Sequence, residues 1–190
     1  GIIGERLHFM GQGIYDSPVV PIGEEQEAKS VGHSTTLPAD ISDKVIINRH
    51  LLKLSEMVGA RARRHGLKGR KVSLTLRYPD FFTFTKQTTL SAPTNDTRII
   101  YNAARGILEA IRLRSAIRLL GVGISGIIKN PRQLSLFEDE RKREELLSAM
   151  DEVNGRFGGL TLTWASLLES GEQPWVISPS WRPEGVKRVE

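Results

Sequence analysis

An α+β fold is predicted: a four-stranded sheet in the order β-α-β-β-α-β with two helices on one face, followed by a helical extension. Three observations predict it. Val72, Leu74 and Leu76 alternate with Ser73, Thr75 and Arg77, the period of a half-buried strand. Ile47, Leu51, Leu54, Val58 and Ala62, and later Ile100, Ala103, Ala104, Ile107, Leu108 and Ile111, recur at helical spacing. Strand-like stretches at residues 29–37 and 117–128 flank these units.

The elements follow in order. Residues 1–13 read as the end of a helix, with Ile3, Leu7 and Met10 on one stripe. Pro18, Pro21, Glu24 and Glu25 make residues 14–28 an extended connector. The first strand, 29–37, is expected to turn at Pro38-Ala39-Asp40. Asp40 or Ser42 then caps a helix that stops near Gly66. Pro79-Asp80 turns the second strand into a threonine-rich partner through Phe82, Phe84 and residues 86–90. After Pro93, Thr94 is the expected N-cap of the second helix, and residues 117–128 complete a domain spanning 29–130. Leu146, Leu147, Met150 and Val153 predict a short amphipathic helix over 138–153, ended by Asn154-Gly155. Leu160, Leu162 and Trp164 alternate like a short strand, and Pro174, Pro179 and Pro183 point to an irregular tail in the 138–190 extension.

Composition bounds the function. The hydrophobic share of 39% and charged share of 26% are those of an ordinary globular domain. No apolar run suits a membrane span, and residues 1–6 are not expected to form a signal peptide. The chain opens on Gly1 without Met, as expected of an excised fragment. Absence of cysteine excludes disulfides and thiolate metal sites and suits a reducing compartment. A net charge of +5 leans modestly toward a polyanionic partner.

Residues 61–71 hold six Lys or Arg and no acid, a pattern that releases counterions when laid against phosphates. It equally suits the C-terminal end of a solvated helix. Ser30, Gly32, Ser34 and Thr36 share one face of the first strand; Thr83, Thr85, Gln87 and Thr89 share one face of another, with Lys86 and Thr88 opposite. Small polar faces admit a phosphate backbone, although an exposed soluble sheet has the same look. Gly121-Val122-Gly123-Ile124-Ser125-Gly126 spells a dinucleotide motif, but Pro131 follows where a helix would have to open, so a glycine-rich strand is expected. His8, His33, His50 and His65 lack metal-ligand spacing, and no nucleophile–base pair stands out. No active site and no small-molecule cofactor are expected in these residues. Gln133-Leu134-Ser135-Leu136-Phe137, by contrast, places apolar side chains in a polar setting, as docking peptides do.

Together these stretches resemble the little-finger region of Y-family translesion DNA polymerases of the bacterial polymerase IV type. The resemblance is carried by Gly13-Ile14-Tyr15-Asp16-Ser17-Pro18 with Lys29-Ser30-Val31-Gly32-His33, by residues 66–81 running into 85–90, and by Ile117-Arg118-Leu119-Leu120-Gly121-Val122. It covers residues 4–137, about 70% of the chain. It implies that residues 1–13 end a thumb helix, and that the open sheet face meets the major groove of primer–template duplex. The candidate DNA contacts are Lys29, Ser30, Gly32, Ser34, Thr36, Arg70, Arg77, Lys86 and Thr88. Gln133, Leu134, Ser135, Leu136 and Phe137 are similar to the sliding-clamp-binding peptide, here followed by roughly 50 residues where many relatives end. Residues 150–158 are similar to an extension of some members. A parent polymerase of the cytoplasm is implied, its two Mg²⁺ ions held by palm carboxylates absent from these residues. A relative with an inactive palm, or a regulatory protein–protein adaptor on a ferredoxin-like domain, is the alternative.

Overall fold

The computed structural model describes residues 1–15, 27–129, 138–159 and 161–168. Helix α1 (Ile2–Gly11) carries exposed Ile3, Leu7, Phe9 and Met10. The sheet comprises β1 (Ser30–Ile41), β2 (Leu67–Arg77), β3 (Thr83–Thr94) and β4 (Ile117–Lys129), with α2 (Lys44–Arg64) after β1 and α3 (Thr97–Glu109) after β3. All neighbouring strands are antiparallel and lie in the order β1-β4-β2-β3. The chain is thus two interleaved split β-α-β units, with β4 between β1 and β2, and β2 between β3 and β4.

Both helices cover one face, as the periodicities required. Ile47, Leu51, Leu54, Val58 and Ala62 of α2 are buried against Val72, Leu74 and Leu76 of β2 and Leu120, Val122 and Ile124 of β4; Ile100, Ala104 and Leu108 of α3 complete the core. Each such Val, Leu or Ile side chain contributes about 1.5–3 kcal/mol by leaving water, enough to set which face of the sheet turns inward. Gly66, at φ +63°, ends α2 where expected.

Three local expectations are corrected. Pro38-Ala39-Asp40 does not turn the chain: β1 continues to Ile41 with a register break between Thr36 and Ile41. The N-cap of α2 is Asp43, not Asp40 or Ser42, its Oδ1 accepting from the Val45 and Ile46 amides. The N-cap of α3 is Asp96, not Thr94, which stays in β3 and accepts from the Asp96 amide. Pro38 and Pro93 both sit in edge strands, where a missing N–H breaks no ladder, so neither ends its strand.

The extension is also rearranged. Helix α4 (Glu138–Phe157) runs through Asn154-Gly155 and stops before Gly158, at φ +109°. The Asn154 side chain instead brackets Leu162, accepting from its amide and donating to its carbonyl. No strand forms at Leu162 and Trp164; α5 (Ala165–Leu168) follows, and Leu160 lies outside the described residues.

Candidate nucleic-acid interface

The face opposite the helices is a regular grid of short side chains. Strand register aligns four rungs: Ser30–Ser125–Lys71–Thr89, Gly32–Gly123–Ser73–Gln87, Ser34–Gly121–Thr75–Thr85 and Thr36–Leu119–Arg77–Thr83. These sixteen positions contain two cations, one apolar side chain and no carboxylate. Three strand spacings make the grid about 14 Å wide, and the six residue steps from the first rung to the last make it about 20 Å long.

Small residues keep the grid shallow. A Cβ on Gly121 would lie 3.0 Å from the Ser34 Cβ and 3.3 Å from the Thr75 Cβ, and one on Gly123 would lie 3.0 Å from the Ser73 Oγ. The central strand therefore has no side chain where its neighbours close in. Hydroxyls are tied across strands: Thr75 and Thr85 Oγ1 atoms stand 2.8 Å apart, and Arg77 Nε donates to Thr83 Oγ1 at 2.7 Å. The Arg77 guanidinium is thereby held at the face.

The candidate DNA residues fall into three groups. Ser30, Gly32, Ser34, Thr36 and Arg77 all stand on the open face, the first four on edge strand β1 and Arg77 on β2. Lys86 and Thr88 pair with Leu74 and Val72, which puts them on the helix side of the other edge strand. Lys29 is exposed just before β1, and Arg70, at the β2–β3 irregularity, donates from Nε to the Leu90 carbonyl at 3.3 Å. Ser73, Thr75, Gly121, Gly123 and Ser125 fill the middle of the grid without being candidate contacts, together with Lys71, which the sequence offers only as part of the basic run at 61–71. Their alternation with Val72, Leu74, Leu120, Val122 and Ile124 was the available signal.

The basic run at 61–71 does not form one patch. Arg63 is turned inward: Nε and Nη2 form a bidentate pair with Asp151 of α4 at 2.6 and 2.9 Å, while Nη1 donates to the Asn95 carbonyl and Thr97. Glu56 lies 3.4 Å from the same guanidinium and accepts from Trp164 Nε1 at 2.9 Å. Lys68 pairs with Glu144 of α4 at 2.7 Å. Arg61 donates to the Gly32 carbonyl at 3.5 Å beside His33. Burial, with the charge of Arg61 adding to it, lowers the His33 pKa to about 4.

Among the described residues no group of three His, Asp or Glu side chains is placed to hold a metal ion. No described helix is long and apolar enough to cross a membrane. Gln133, Leu134, Ser135, Leu136 and Phe137 lie outside the described residues.

Residues 28–136 match the impB/mucB/samB family C-terminal domain. DNA polymerase IV of Pelotomaculum thermopropionicum is 36% identical over 160 residues, covering 83% of this chain and 40% of that protein. DNA polymerase IV 2 of Bacillus subtilis is 36% identical over 179 residues, covering 91% and 43%. A solved Y-family DNA polymerase chimera aligns at 21% identity with a TM-score of 0.47, over 68% of this chain and 36% of its own. The chain belongs to the impB/mucB/samB family, as the little-finger region of a Y-family DNA polymerase of the polymerase IV type. It spans less than half the length of the curated relatives it matches.

Proposed function

We propose that this region holds primer–template duplex on its open sheet face and brings its parent translesion polymerase to the sliding clamp through residues 133–137. The observation that carries the first part is the sixteen-position grid without a carboxylate, opposite the helices. A face about 14 Å wide matches a major groove about 12 Å wide with its flanking phosphates. Hydroxyls and main-chain amides would position the phosphates, and Arg77, Lys71 and the marginal Lys29, Arg70 and Lys86 would supply counterion release. Hydroxyl, glycine and long cationic side chains on such a face favour grip without base readout.

Binding of a fluorescent primer–template duplex to single variants tests this. Thr75→Glu, which puts a carboxylate at the centre of the grid, is expected to weaken binding by at least about tenfold, equally for unrelated sequences. Arg77→Ala should reduce the slope of log affinity against log salt by about one. Undiminished binding of Thr75→Glu at low salt would remove the duplex from this face. For the second part, Leu136→Ala with Phe137→Ala should abolish association with the clamp and leave duplex binding intact. If the double variant still binds the clamp, the peptide is not the attachment point. Nucleotidyl transfer, with its Mg²⁺, is assigned to a palm outside this chain.

A further inference from the structure

We propose that the β2–β3 hairpin tip is a stacking site for an unpaired nucleotide at the end of the bound duplex. This rests on the open-face reading but concerns different residues. Residues 78–82 form a tight connection in which the Tyr78 amide donates to the Phe82 carbonyl at 3.1 Å and the Phe81 amide to the Tyr78 carbonyl at 3.0 Å. Asp80 Oδ1 accepts from the Phe82 amide, further fixing the loop. Tyr78 is buried at 3% exposure, while Phe81 is 66% and Phe82 55% exposed. Phe81 has φ +64°, a left-handed conformation that bulky residues rarely adopt, and it displays the ring outward.

The rings of Tyr78, Phe82 and Phe84 pack together on the helix side of the hairpin, where Phe84 pairs with Leu76. Tyr78 and Phe82 stack with planes 13° apart, and Phe84 packs on both at 5.7 and 6.0 Å between centroids. Two arginines from the start of β4 and the connection before it lie over ring faces. The Arg114 guanidinium is 4.6 Å from the Tyr78 centroid and 4.8 Å from that of Phe82; that of Arg118 is 5.3 Å from Phe81. Asp80, the acid in this connection, is bound to Arg114.

That chemistry selects the occupant. Arg114 already has Asp80 as its acceptor, but an apolar protein surface would bury the Arg118 guanidinium beside Phe81 without offering it one. A nucleotide offers a flat π face to Phe81 or Phe82 and a phosphate to Arg114 or Arg118, the pairing used by single-strand-binding grooves. Its place suits this role, because Arg77 and Thr83, the last rung of the open face, lead directly into residues 78–82. The tip follows the last rung, so the end of a duplex held on the grid comes beside exposed Phe81 and Phe82, while the ring stack behind them faces the helix side.

The test uses the full chain with three probes: a blunt duplex, the same duplex with a single-stranded overhang carrying 2-aminopurine next to the junction, and the overhang strand alone. The wild type should bind the overhang duplex more tightly than the blunt one and change the 2-aminopurine fluorescence. Phe81→Ala and Phe82→Ala should each remove about fivefold or more of the overhang affinity and leave blunt-duplex affinity unchanged; Phe81→Trp should retain it. Equal losses on blunt and overhang duplexes, or no loss on either, would overturn the proposal. Failure to bind blunt duplex, with Phe82-dependent binding of the single strand, would sink the open-face reading and keep the tip. Sedimentation showing a wild-type dimer that Phe81→Ala dissociates would assign the patch to a second copy and overturn the proposal.

Discussion

At Arg63 one guanidinium joins three pieces of chain: its own helix through Glu56, the entry to α3 through Asn95 and Thr97, and the extension through Asp151. Gly59 makes room for this, since a Cβ there would stand 2.8 Å from Thr97 Oγ1 and 2.9 Å from Arg63 Nη1. The side chains of Arg63 and Glu56 are 11% and 5% exposed, so removing the cation strands a buried carboxylate. Arg63→Met is therefore expected to cost about 3–5 kcal/mol in urea unfolding, and Asp151→Asn, which leaves Glu56 in place, distinctly less. His33 sets a pH dependence. Its folded pKa near 4 lies below the ordinary 6.5, so the unfolded chain takes up a proton that the folded one refuses. The folded state has its full stability above pH 6.5 and loses it as pH falls toward 4. His50, lowered by burial and then by Lys53 and Arg49, acts in the same sense. Because His33 is only partly buried, about 1–2 kcal/mol remains after discounting for solvent screening. Wild type should lose that much more than His33→Asn between pH 7.5 and pH 4.5 in parallel denaturant titrations.

At the scale of elements, the helix stripes and the strand alternation were legible because burial on one side repeats at 3.6 or 2 residues. Strand ends were not. Pro38 and Pro93 look like breakers until β1 and β3 prove to be edges, where the ladder does not need their missing N–H. The caps moved for the same reason: each strand ran on, and the next aspartate, Asp43 or Asp96, met the free amides of its helix. Helix α4 is the element whose role the sequence hid. No spacing in its charges marks a partner, yet Asp151 and Glu144 find Arg63 and Lys68, and Leu147 is buried. Leu147→Ala should loosen this docking without touching the sheet. Hydrogen exchange is expected to speed up in α4 and α5 and stay unchanged in β2 and β4; parallel acceleration in the sheet would mean that the extension supports the domain core.

Across the whole molecule, the candidate interface is a product of register. Ser30, Gly32, Ser34, Thr36 and Arg77 could be put on strand faces from alternation, and they do share one face. Lys86 and Thr88 had the right chemistry, but their pairing with Leu74 and Val72 sets them on the helix side. Ser73, Thr75 and the two glycines of β4 gained their place only when β4 inserted between β1 and β2. The basic run divided because a helix some 80 residues later supplies acids to two of its members. The sequence by itself determined the element types, the inward faces, the family and the absence of cysteine chemistry, since each rests on local spacing or residue identity. Tertiary structure alone decided which strands are edges, which polar side chains line the grid, which cations α4 neutralises and that Phe81 and Phe82 are displayed together. Those are matters of which distant segments meet, and long-range pairing leaves no period in the chain.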